Sequence, residues 1–142
     1  TNASTNTYGT YCFRNVPGVC KIGSYKGNGS SDGPYIPLGF TPSWLMVKSI
    51  QGTYGTEWFM YDLTRRNSLQ TYAGGNANSD LLYANLSSAG SRYASTAGVD
   101  FIADGFKIRG TGTDLNYSGT KFLYIAIADI AGGGNLPPIY GR

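Results

Sequence analysis

Apolar and polar residues alternate over short runs separated by glycine, proline and asparagine, a period of two that predicts strands rather than helices. The longest such run, Lys121 to Ile130, carries Phe122, Tyr124, Ala126, Ala128 and Ile130 on one face and Leu123, Ile125 and Ile127 on the other. Both faces are apolar, so the run predicts a central strand covered by protein on both sides. Its β-branched and aromatic content, and the breakers Ser118-Gly119 and Gly132-Gly133-Gly134 around it, favour a strand over a buried helix. Ser43 to Ile50 is the second strand, with Trp44, Met46 and Lys48 alternating with Leu45, Val47 and Ser49, and Glu57 to Leu63 is its antiparallel partner.

Shorter elements follow the same reasoning. Tyr11 to Arg14 and Val19 to Tyr25 flank Asn15-Val16-Pro17-Gly18 and predict a hairpin. Tyr35 to Phe40 predicts a short strand that Pro37 restricts to an edge or an end. Val99 to Ala103 and Gly105 to Gly110 predict a second hairpin around Asp104-Gly105. Thr64 to Ala94 reads as mostly surface loop, with a helical turn around Asp80 to Leu86 capped by Ser79. Asp114 to Gly119 reads as a turn. The expected fold is therefore all-β: an antiparallel, jelly-roll-like β-sandwich over residues 11–130, with extended arms at 1–10 and 131–142. Trp44, Phe101, Phe106, Phe122, Ile125 and Ile127 are its expected core.

Composition narrows the function. The 142 residues suit one domain, and 21 glycines, 12 tyrosines and only 13% charged residues mark a turn-rich β protein. Tyrosine, serine, glycine and asparagine also compose adaptable recognition surfaces, although sheet and turn propensities alone account for them. The net charge of +3 is scattered, with only Arg65-Arg66 adjacent, which argues against nucleic acid as a partner. No apolar run approaches the roughly 20 residues of a membrane span, and the polar start TNASTNTYGT predicts no signal peptide or anchor. A first residue other than Met is expected of a processed chain, a fragment or an incompletely known start.

The chain has no histidine, which removes the usual general base and the serine–histidine and cysteine–histidine nucleophiles. Paired carboxylates for glycoside hydrolysis remain open among Asp32, Glu57, Asp62, Asp80, Asp100, Asp104, Asp114 and Asp129. No acidic loop has calcium-ligand spacing, and no phosphate-binding loop is present. The expectation is a non-enzyme without cofactor or metal. Cys12 and Cys20 flank the first turn and are a candidate disulfide: centred on Val16 the turn sets them opposite each other, whereas a four-residue turn shifts the register by one. Buried free thiols are the alternative, and two cysteines do not make a zinc site.

The order of motifs adds one further expectation. GTYCFRNVPGVCKIGSYKGNGSSDGPYIPLGFTPSWLMVKS, then WFMYDLTRRN, LLYANLS, VDFIADGFKIRG and NYSGTKFLYIAIAD, resembles a domain of tail-fibre and other virion structural proteins of tailed phages, many of them marine. The resemblance runs from Tyr11 to Asp129; the GGGNLPPIYGR tail is outside the shared pattern. It implies a β-sandwich virion module at the particle surface, in a tail fibre, appendage or capsid decoration, and supplies no catalytic residues. The expected assembly is a homo-oligomer, a trimer, in contact with other virion proteins. Its loops would bind host surface glycan through Tyr54, Tyr72, Tyr83 and Tyr93, with Arg65 and Arg66 for anionic sugars. The alternatives are a glycan-depolymerising fibre enzyme using paired carboxylates and a purely architectural subunit. In the C-terminal arm, a glycine hinge and a Pro-Pro step precede Leu136, Ile139 and Tyr140, which are expected to anchor on a neighbouring subunit.

Overall fold

The computed structural model describes residues 7, 9–51, 57–64, 80–87, 91–92 and 97–128. Among them the chain runs β1 (Cys20–Lys26), β2 (Tyr35–Pro37), β3 (Pro42–Ser49), β4 (Phe59–Asp62), β5 (Asp80–Tyr83), β6 (Ser91–Arg92), β7 (Val99–Ile102), β8 (Gly105–Ile108), α1 (Thr113–Asn116) and β9 (Lys121–Ala128). A six-stranded sheet has the order β1-β9-β3-β4-β5-β6 and a three-stranded sheet the order β2-β8-β7. Every strand pair among the described residues is antiparallel. The expected all-β sandwich architecture is the one found.

β9 pairs along its length with both β1 and β3, so the longest apolar run is a central strand. Its Phe122, Tyr124, Ala126 and Ala128 face the small sheet and are buried. Across that interface Phe106 of β8 meets Tyr124 edge-on with centroids 5.3 Å apart and Tyr25 at 6.1 Å, while Tyr25 stacks on Phe122 at 5.2 Å. Such offset and edge-on aromatic pairs add to the area they bury. Two buried tyrosines in this core each donate to a main-chain carbonyl, Tyr25 to Leu115 at 2.8 Å and Tyr61 to Ala97 at 2.9 Å. Burial raises both phenol pKa values well above the usual tyrosine range.

Two glycines are required by close approach. A Cβ on Gly23 would sit 2.6 Å from the Tyr124 hydroxyl, and one on Gly105 would run into the carbonyl oxygen of Ile36 on the paired strand β2. Gly105 therefore serves sheet pairing. The hairpin turn at Ala103-Asp104 contains no residue with positive φ, so it is not the mirror-image turn that an Asp-Gly pair signals. Pro37 ends β2, an edge strand, where its missing N–H costs no ladder bond.

Several expectations are corrected. Residues 11–14 form no strand: Tyr11 and Phe13 are exposed, and only the Val16–Cys20 bridge closes the first turn. Asn15 instead blocks the β1 edge by accepting the Ile22 N–H at 2.7 Å. The segment at 80–86 is strand and bend, because Leu81 and Tyr83 pack inward beside Phe59; the helix lies at Thr113–Asn116, where a turn was expected. Among the expected core residues, Phe106 and Phe122 are fully buried and Phe101 is half-buried against the core. Ile125 is buried as expected, but on the other face of the large sheet, where Trp44 is partly buried and Ile127 is 36% exposed. Cover on both sides of β9 is thus found along its inner face and at Ile125, but not at Ile127.

Candidate functional site

Strand register assembles that outer face from residues far apart in sequence. Ile22 pairs with Ile125, Ile125 with Met46, Met46 with Met60 and Met60 with Leu82, so one unbroken aliphatic row crosses five strands. None of the five belongs to the core cluster, and all but Ile125 are only half-buried. On one side runs the row Cys20, Ile127, Trp44 and Asp62. On the other lie Ser24, Leu123 and Lys48, the last with its ammonium 5.2 Å from the Trp58 ring centroid. The flanking rows mix apolar and polar side chains, and no residue of the central row is exposed: Ile125 is buried and the other four are partly covered.

The outer face of the small sheet is polar. Lys107 and Arg109 alternate with the buried Phe106 and Ile108 and so point outward. Lys107 Nζ lies 2.6 Å from Asp32 Oδ1, and Arg109 bridges two carboxylates, with Nη1 3.7 Å from Asp32 and Nε 2.5 Å from Asp100. The hydrogen bond and charge of Lys107 hold the Asp32 carboxyl below its ordinary range. Asp100 is buried, and its Oδ1 has no partner. Beside this network, Asp104 accepts the hydrogen bond of the exposed Tyr35 phenol and raises its pKa.

Asp32 reaches the network because Asn116, at the end of α1, organises the loop after β1. The fully buried Asn116 amide donates to Ser30 O at 2.7 Å and Gly110 O at 3.0 Å, and its Oδ1 accepts from Asn28 N at 2.9 Å. A glycosidase needs one carboxyl raised to act as general acid. Asp32 is shifted the opposite way by a cation in contact. Among the described residues no group of three or more metal-ligating side chains converges, and no helix is long and apolar enough to cross a membrane.

Of the proposed glycan contacts, Tyr83 is not in an irregular exposed stretch: it sits on β5 in register with Phe59, their rings 5.4 Å apart, and packs partly buried against the core. The alternation of Leu81 and Tyr83, hidden in a serine- and asparagine-rich stretch, sets that orientation. Tyr54, Arg65, Arg66, Tyr72 and Tyr93 lie outside the described residues, as do Leu136, Ile139 and Tyr140. Cys12 and Cys20 are free thiols, Cys12 exposed and Cys20 half-buried. The turn closes on Val16, which takes the position opposite Cys20. Cys20 instead helps to line an apolar cleft of about 270 Å³ with Val16, Pro17, Leu38 and Phe40.

Sequence reasoning missed the five-strand row and the Asp32–Arg109–Asp100 network. The alternation in β3 and β9 exposed the ingredients of the first, while the partners of Arg109 carry no local signal. A family model described as a domain of unknown function (DUF7483) matches residues 1–130. No curated protein and no solved structure matches the chain.

Proposed function

The chain belongs to the DUF7483 family, whose description assigns no activity, and we propose that it is a non-catalytic structural subunit of a tailed-phage virion. In this reading it forms a homo-oligomer, a trimer, at the particle surface as part of a tail fibre, appendage or capsid decoration, in contact with other virion proteins. Host surface glycan is a further partner, for Tyr54, Arg65, Arg66, Tyr72 and Tyr93. The observation that carries the proposal is the aliphatic row from Ile22 to Leu82, which lines the side of the large sheet away from the core cluster with partly covered apolar side chains. The depressed Asp32 and the cation-paired Asp100 support a structural rather than a hydrolytic role.

Light scattering coupled to size exclusion on the purified full chain tests the assembly. A stable oligomer is expected, and a monomer at every concentration overturns the reading. Mass spectrometry of purified particles that encode the chain should find it among the virion proteins. Incubation with host polysaccharide should release no oligosaccharide, and depolymerisation would put the fibre-enzyme alternative in its place.

A further inference from the structure

Resting on the glycan part of that reading, we propose that Lys26 and Lys121 hold the acidic group of a surface polysaccharide, a carboxylate or a sulfate ester. The other lysines on the described strands have partners. Lys21 donates to Pro37 O at 2.8 Å, Lys107 pairs with Asp32, and Lys48 lies against the Trp58 ring. Lys26 and Lys121 are exposed, and among the described residues neither has a carboxylate in reach.

Strand register sets these two side by side. They are the last pair of the β1–β9 ladder, and each alternates with a buried aromatic, Tyr25 or Phe122, so both point to the outer face. Gly27 N–H donates to Thr120 O at 2.9 Å, which makes Gly27 and Thr120 a hydrogen-bonded pair. Alternation along an antiparallel ladder then makes Lys26 and Lys121 a non-hydrogen-bonded pair, with Cα atoms about 4.5 Å apart and side chains at their closest. Like charges directly opposite each other are destabilising. An anion between the two ammonium groups removes that repulsion and accepts a charge-assisted hydrogen bond from each.

The surroundings supply room and further donors. An open depression of about 450 Å³ is lined by Ser24, Tyr25, Lys26, Gln51, Gly119 and Lys121, within the roughly 300–1,000 Å³ of small-ligand sites. Lys26 leans over the turn at Gly119, where a Cβ would meet its Cε at 3.9 Å. Gln51 Oε1 accepts the Lys121 N–H at 2.7 Å, which leaves the amide NH2 group as a donor. Hydroxyl, amide and ammonium donors thus line the depression without a carboxylate. Its one aromatic residue, Tyr25, is buried, so the lining offers none of the exposed apolar anchors on which protein partners depend, and this favours a polar glycan.

Nitrogen-15 NMR titration of the full chain at constant ionic strength tests the site. The probes are sodium sulfate, a sulfated and a uronate oligosaccharide, a neutral oligosaccharide and a glutamate-rich peptide. Saturable shifts at Gly27, Gly119, Lys121 and the Gln51 side chain are expected with sulfate and with an acidic oligosaccharide, and none with the neutral one. Lys26→Gln and Lys121→Gln should each weaken binding about tenfold, with Tm unchanged or higher because the repulsion is gone, and Lys121→Arg should retain it. Shifts that never saturate, or that spread evenly over the surface lysines, overturn the site. An acidic oligosaccharide that both glutamine variants bind unchanged overturns it too, while leaving the glycan reading intact. Sulfate that saturates while no oligosaccharide binds overturns the proposal together with the glycan reading. A peptide that binds more tightly than any oligosaccharide overturns the polysaccharide as the occupant.

Discussion

Replacing Asn116 with alanine should unlock the loop between β1 and β2 from the rest of the sandwich. The substitution deletes three hydrogen bonds, to Ser30 O, Gly110 O and Asn28 N. At about 1 kcal/mol net for each, and about 1–2 kcal/mol more for leaving the buried Gly110 carbonyl without a partner, the cost is about 4–5 kcal/mol. That is a large share of the roughly 5–15 kcal/mol available to a domain. With about 0.3 kcal/mol/K of unfolding entropy expected at this length, Tm should fall by about 15 °C. Calorimetry, with urea titration in parallel, measures it. The urea slope should stay constant, because the surface exposed on unfolding is nearly the same. Asn116→Asp should be nearly as damaging, since it keeps the acceptor for Asn28 but loses both donors. A loss below about 1 kcal/mol in Asn116→Ala would refute the claim that one buried amide organises the loop.

Four further outcomes are expected. The folded-state pKa of Asp32 is depressed by Lys107, so its contribution is present above the ordinary carboxylate range and is lost as pH falls through the depressed value; Asp32→Asn should flatten that part of the acid limb in Tm measured against pH. Tyr25 and Tyr61 are shifted upward by burial, so their contribution is complete below about pH 10 and is lost as pH rises beyond it. Tyr61→Phe, which leaves the Ala97 carbonyl without its donor, should cost about 1–3 kcal/mol at neutral pH by urea denaturation. Phe106→Ala should cost about 3–5 kcal/mol because the ring joins the two sheets, whereas Ile127→Asp on the outer face should leave a folded chain by circular dichroism; equal losses in the two would contradict the assignment of inner and outer faces.

The pattern of residues alone was enough for the all-β class, the central place of β9, the β3–β4 pair, the 103–105 hairpin and the edge position of Pro37. All of these depend on interactions within a few residues: alternation, breakers and the missing proline N–H. The orientation of the faces was not available that way. In β9 both faces are apolar, so local sequence does not distinguish the side that meets Phe106 from the side that carries Ile125 and Ile127. Only the placement of the small sheet, tens of residues away along the chain, decides it. The same holds for the row from Ile22 to Leu82, which exists through the registers of four strand pairs, and for Arg109, whose partners Asp32 and Asp100 arrive from a loop and a neighbouring strand. Alternation is a property of each strand, whereas register and facing are fixed by the free energy of burying the whole core at once; the first is written locally and the second is settled only when the sheets pack.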